Sequence, residues 1–256
     1  EYDALGRIIK ETSPKGGVTT YGHDSEGNLL YQRDSLGNSV HFKYDDFGQV
    51  VEVLDQMHNS TVMEYTPTGK LSNITDASGA VTQYIYDSLD RPVEIIDSMR
   101  NSTIFEYDAT GNLLEETTPL GTIQYQYDSM GRLRNVTDSL GNVSSLDYDS
   151  RGRIANYTDE MGQTVGYEYD LVGRIINITG PGGNTTQYEY DDRGNIIGIT
   201  DPAGNTLEFI YDSLGNVIGA LDAGGNSTTY TYDAMGNMLS MTDPLGRVYQ
   251  SEYDEA

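Results

Sequence analysis

From residue 185 to 190 the chain reads Thr-Thr-Gln-Tyr-Glu-Tyr, with Thr186, Tyr188 and Tyr190 on one side and Gln187 and Glu189 on the other. Such alternation marks a half-buried strand, because successive side chains point to opposite faces of a sheet. The pattern recurs along the chain. Tyr21, Phe42, Tyr84, Phe105, Tyr125, Tyr167, Tyr188, Phe209 and Tyr230 each stand two residues before a Tyr-Asp step or a degenerate copy of it. A second apolar column lies after that step, at Ile9, Leu30, Val51, Val93, Leu114, Ile176, Ile197 and Leu239. Aromatic rows are therefore expected to alternate with aliphatic rows across one face, with adjacent strands about 4.8 Å apart.

Glycine punctuates these strands twice per unit. One column follows the Tyr of Tyr-Asp by four residues, from Gly6 and Gly27 through Gly215 and Gly236, and only Asp90 breaks it. The other lies ten residues further on, at Gly16 and Gly37 through Gly246, with His58 and Arg100 as exceptions. Asp-x-x-Gly suits a type I turn closed by a residue at positive φ, since the Asp side chain accepts backbone N–H groups and Gly enters the left-handed region without a Cβ clash. The Tyr-Asp step returns every 21 residues, with one step a residue short between Tyr107 and Tyr127, near Gly121-Thr122-Ile123. About twelve units fill residues 1–256 as one continuous array, and no domain boundary is expected. The fold class is all-β: tandem 21-residue β-hairpins forming one long, twisted antiparallel sheet. Two turns per unit leave no window for a helix.

Composition narrows the partners. A net charge of −25, with only 15 Lys and Arg scattered among 256 residues, argues against nucleic acid and anionic membrane surfaces. Zero Cys excludes disulfide and thiolate chemistry. No run of about 18 apolar residues calls for a membrane span. The chain opens with "EYD" and closes with "EYDEA", both inside a repeat. That phase predicts a window of a longer array.

Candidate chemistry is sparse. His23, His41 and His58 occupy different repeat positions, so no metal site is expected from them. Equivalent carboxylates such as Asp76, Asp138, Asp159, Asp201 and Asp243 would recur about 9.6 Å apart, too far to share a calcium ion that needs oxygens at about 2.3–2.6 Å. They are expected to cap turns. The tyrosine rows share a face with aliphatics and are expected to pack there. No catalytic residue, cofactor or metal is assigned, and no nucleophile, base and orienting group recur together.

The Asn-x-Ser/Thr signal is stronger, because nine of the 16 Asn residues head a sequon. Asn59, Asn101, Asn142, Asn184 and Asn226 follow the second turn. Asn73, Asn135, Asn156 and Asn177 lie mid-strand, on the side opposite the aliphatic column. All nine are candidate glycosylation sites on an exposed surface; the competing reading is that Asn and Thr simply suit turns and strands.

Residues 232–246, "YDAMGNMLSMTDPLG", resemble the consensus of the YD-repeat, or RHS-repeat, family, and the resemblance spans the chain. It implies a long spiralling hairpin sheet, as in the hollow shells of bacterial polymorphic toxins and insecticidal toxin complexes and in the teneurins of animal cell surfaces. The closing core segment, self-cleaving protease region and variable toxic domain of the bacterial members have no match here. An apolar sheet face must meet another layer, and open strand edges invite pairing with a further copy. The reading is therefore a non-enzymatic structural protein: an extracellular or cell-surface fibre or adhesin stalk, N-glycosylated, associating with itself or continuing end to end. The alternative is a wall segment of a hollow shell enclosing a toxin or forming part of an adhesion receptor. A carbohydrate-binding module using exposed tyrosines ranks below both.

Overall fold

The computed structural model describes residues 1–253, so Asp254 of the last Tyr-Asp step lies outside the described residues. The described residues form twenty-four β-strands, one three-residue 3-10 turn at Pro181–Gly183, and no α-helix. The chain divides into two units, Glu1–Tyr125 and Gln126–Ala256. Within each unit, strands adjacent in the chain pair antiparallel. The strands are mostly five or six residues long, such as Ile175–Thr179 and Thr185–Tyr190, because two turns take up the rest of each 21-residue repeat.

The turns show why. In both turn types the Asp N–H donates to the carbonyl four residues on, and the Gly N–H donates back to the Asp carbonyl, as in Asp170/Arg174 (2.9 Å) with Gly173/Asp170 (3.2 Å). This is a three-residue loop with a type I turn closed by a glycine bulge. Gly173 sits at φ 99° and Gly141 at φ 86°, where an L side chain is disfavoured. Asp90, His58 and Arg100, the three breaks in the glycine columns, adopt the same region at φ 60°, 63° and 71°. The short repeat is explained by its turn. Thr118 pairs directly with Gly121 around Pro119-Leu120, so this hairpin closes on two residues, and Gly121 moves out to φ 136°.

A register shift recurs at His23, Tyr44, Tyr65, Tyr86, Tyr107, Tyr148, Tyr169, Tyr190, Tyr211 and Tyr232. In residues 185–200, Tyr188 faces Ile199 and Glu189 faces Gly198, but Tyr190 faces Ile196, skipping one residue. The extra residue lies in the following strand, so at these steps the Tyr comes beside that strand's start, while the two-residue alternation of its own strand keeps it on the aromatic face. The residue directly opposite each aromatic belongs to the end of that strand: Val53 faces Phe42, Ile178 faces Tyr167 and Ile199 faces Tyr188. The ladder across the second turn runs without a shift, as in Gly198↔Glu208.

No hydrophobic side chain is fully buried among the described residues. Of the described residues, Gly198 and Gly219 alone are buried, beneath Glu189 and Ile210 of the neighbouring strand. The aromatic face, including Tyr167, Tyr188 and Phe209, is half-buried by its own neighbours. Each unit thus keeps an apolar face covered only laterally, consistent with the need for a further layer.

Candidate functional site

The first-turn edge carries a lattice of contacts from one repeat to the next. In the turn Asp170–Arg174, Asp170 Oδ1 accepts the N–H groups of Val172 (3.0 Å) and Arg174 (2.9 Å), while Arg174 Nε donates to Asp170 Oδ2 at 2.6 Å. Arg174 Nη1 then reaches the Asp191 carbonyl in the next repeat (3.0 Å), and its guanidinium lies 4.6 Å from the centre of the Tyr190 ring. Tyr190 completes the circuit by donating its hydroxyl back to the Ile175 carbonyl at 2.7 Å. Arg153 and Tyr169 repeat the full circuit, and Arg91 reaches the Asp108 carbonyl and stacks over Tyr107 in the same way. The Tyr hydroxyl bond to a carbonyl fifteen residues back recurs at Tyr44, Tyr65, Tyr86, Tyr148, Tyr211 and Tyr232. The Tyr of Tyr-Asp is thus a staple between repeats.

Sequence reasoning found the columns and missed this lattice. Its signal was present as an Arg four residues after the Asp, with the next Tyr sixteen residues beyond that Arg. His23 is the informative exception. It stands where the staple tyrosine belongs, and its Nδ1 is buried without a hydrogen-bond partner.

The second-turn Asp residues cap, as expected. Asp138 Oδ1 accepts from the N–H groups of Leu140 and Asn142 at 2.8 Å each, and Asp76, Asp159, Asp201 and Asp243 make equivalent bonds. The Asn142 side-chain amide, followed by the backbone N–H groups, holds the Asp138 carboxyl below its ordinary range. No group of three or more His, Asp or Glu side chains suited to a metal ion occurs among the described residues. His41 instead tilts against Tyr31, with ring centres 5.9 Å apart.

The nine sequon asparagines fall into two states. Asn59, Asn101, Asn142 and Asn226 are exposed, yet each Nδ2 donates to the Asp four residues before it at 2.8–2.9 Å. Asn73, Asn135 and Asn177 are half-buried on the polar face and donate across the ladder to Glu64 (2.5 Å), Gln126 (2.9 Å) and Glu168 (2.6 Å). Asn156 and Asn184 differ. Both are exposed, and neither amide makes a hydrogen bond among the described residues. The causes are local: Gly180 replaces the capping Asp before Asn184, and Asp147, which would face Asn156, pairs with Arg134 at 3.6 Å.

The surface hollows are open troughs between neighbouring hairpins, such as one lined by Phe47, Val51, Met63 and Tyr65 with Gln49 and Thr66 at its edge. Their lining is that of an uncovered sheet face.

The sequence profile described as RHS Repeat matches residues 2–33, 65–98, 107–143, 148–177, 169–206 and 211–248. No curated protein sequence matches the chain. Among solved structures, the chain is similar to TcdB2-TccC3, with a TM-score of 0.62 and 18% identity over 94% of this chain and 17% of that one. The same protein without its hypervariable C-terminal region gives a TM-score of 0.62 and 18% identity, over 94% and 16%. A Tc holotoxin pore from Photorhabdus luminescens gives 0.52 and 19%, over 94% and 16%. The chain spans about a sixth of the length of these structures, and at such identity the likeness carries the fold.

Proposed function

The chain belongs to the RHS Repeat family, and from that membership we propose that it is a non-enzymatic wall segment of a larger secreted or cell-surface assembly. The observation that carries this reading is the uncovered aromatic face: no hydrophobic side chain is fully buried among the described residues, so the sheet needs further layers to complete its burial. A wall that encloses a cargo space supplies them, and the likeness to TcdB2-TccC3 supports that architecture. Cryo-electron microscopy of the intact native protein tests it. Discrete hollow particles are the expected result. Continuous fibres would replace the wall by a surface filament or adhesin stalk.

A second reading adds covalent glycans and a route to the cell exterior. It is favoured by the free, exposed amides of Asn156 and Asn184, which keep their attachment nitrogen clear of the turn and ladder bonds. Intact-mass and glycopeptide measurement on native protein should find glycan at these two residues first. Unmodified peptides across 148–190 would remove this reading and leave the wall untouched.

A further inference from the structure

Three successive strands depart from the acidic character of the chain. Val18–His23, Leu29–Arg33 and Ser39–Tyr44 hold no Asp or Glu, whereas the polar face of later strands carries Glu52, Glu64, Glu168 and Glu189. They bring Arg33, His41 and Lys43 to that face instead, in a chain of net charge −25.

The ladder shows how the exchange is made. In later repeats an acid faces an asparagine, as Glu64 faces Asn73 and Glu168 faces Asn177, and the two side chains are bonded. At the same place Gly22 faces Tyr31. A Cβ on Gly22 would lie 2.1 Å from Tyr31 Cε1, so the ring occupies the space that the acid takes elsewhere. Tyr31 thus stands on the polar face, apart from the tyrosine rows of the aromatic one. His41, directly opposite, tilts against the ring, and its Nε2 shares a hydrogen bond with Ser39 Oγ at 3.0 Å. Arg33, opposite both Ser39 and Thr20, holds its guanidinium 5.9 Å from the centre of the Tyr31 ring.

Arg33 is exposed, and its guanidinium makes no ion pair or hydrogen bond among the described residues. The cations on either side are already paired, Lys10 with Glu1 at 2.6 Å and Lys43 with Glu52 at 2.5 Å. Asp34, next in the chain, gives its carboxylate to the N–H groups of Leu36 and Asn38 and to the Asn38 amide.

We propose that Tyr31, Arg33, Ser39 and His41 form a binding site for a sugar acid, a pyranose carrying one carboxylate. A planar guanidinium with free N–H groups matches a carboxylate through two parallel bonds. One unpaired cation suits one negative charge, and the acidic chain around it repels anything more highly charged. The hydroxyl of Ser39 and the imidazole of His41, set beside an aromatic ring, supply the mixed polar and apolar contacts that a hydroxylated ring takes. The site lies wholly within Glu1–Tyr125 and does not rest on the wall reading.

Nuclear magnetic resonance titration of the 256-residue chain with D-glucuronate tests the proposal, followed at the Tyr31 and His41 ring signals. Saturable shifts are expected. Glucose and acetate should each bind at least about tenfold more weakly, since one lacks the carboxylate and the other the ring. Arg33→Gln should weaken glucuronate at least about tenfold. Gly22→Ala, which drives Tyr31 from its place, should weaken it too, with circular dichroism confirming that each variant is folded. Arg100→Gln, which removes the same charge from an exposed turn, should leave binding unchanged. Absence of saturable shifts overturns the proposal. So does equal weakening by Arg33→Gln and Arg100→Gln, which is the response of net charge alone, and so does acetate binding as tightly as glucuronate, which would be an anion site without a sugar.

Discussion

At the scale of single residues, backbone conformation decides more than contact does. A Cβ built on Gly141 meets nothing within 4 Å, yet the residue sits at φ 86°. Any side chain there pays a conformational penalty with no steric one. Gly141→Ala should therefore lower stability by about 1 kcal/mol, and Arg100→Gly, at φ 71°, should raise it by about 0.5–1 kcal/mol, both read from urea denaturation. The Arg100 side chain forms no hydrogen bond among the described residues, so nothing local opposes the gain. Asp90 differs, because its carboxylate accepts from Thr68 and the strained position secures a link between hairpins. The glycine columns were fully legible in the sequence, and so was the fact that three positions depart from them. That the departures keep the left-handed conformation follows from the turn bonds, which fix the backbone whatever residue occupies it.

At the scale of the hairpin, the staple and the stacked guanidinium couple each repeat to the one before. Tyr190→Phe removes the hydroxyl bond to Ile175 while leaving the ring beneath Arg174, and should cost about 0.5–1.5 kcal/mol in chemical denaturation. The converse holds at His23. Replacing it by Tyr should restore a donor toward the Ile8 carbonyl, remove a buried unpaired nitrogen and stabilise the chain by a similar amount. Strand positions, turn types and the two faces were readable because side-chain alternation and glycine spacing are local. The staple was not, since a bond between residues fifteen apart requires the register, and the register contains a bulge that no single strand reveals. The sequons were readable as a surface pattern, but not their division into engaged and free amides. That division depends on whether an Asp precedes by four, legible at Gly180, and on whether a cross-strand acid is diverted, as Arg134 diverts Asp147, which is legible only from the ladder.

At the scale of the molecule, the turn carboxylates set the response to acid. Asn101 holds Asp97 below its ordinary range, and Asn205 and Asn226 do the same for Asp201 and Asp222, first through the side-chain amide and then through the backbone N–H. A carboxyl depressed in the folded state contributes stability above its unfolded value of about 3.9, and loses it as pH falls toward the folded value. The melting temperature should hold between about pH 7 and 5 and fall below about pH 4. Acidification also relieves repulsion within a chain of net charge −25, so a melting temperature that rises instead would mean that repulsion outweighs the turns. Pairing between strands adjacent in the chain has a last consequence, under load. If the two ends are pulled apart, the outermost hairpin can detach without disturbing the bonds of the others, so the array unzips in steps. Each step frees 21 residues, about 70 Å of contour, and the peak force is set by one hairpin whatever the length of the array.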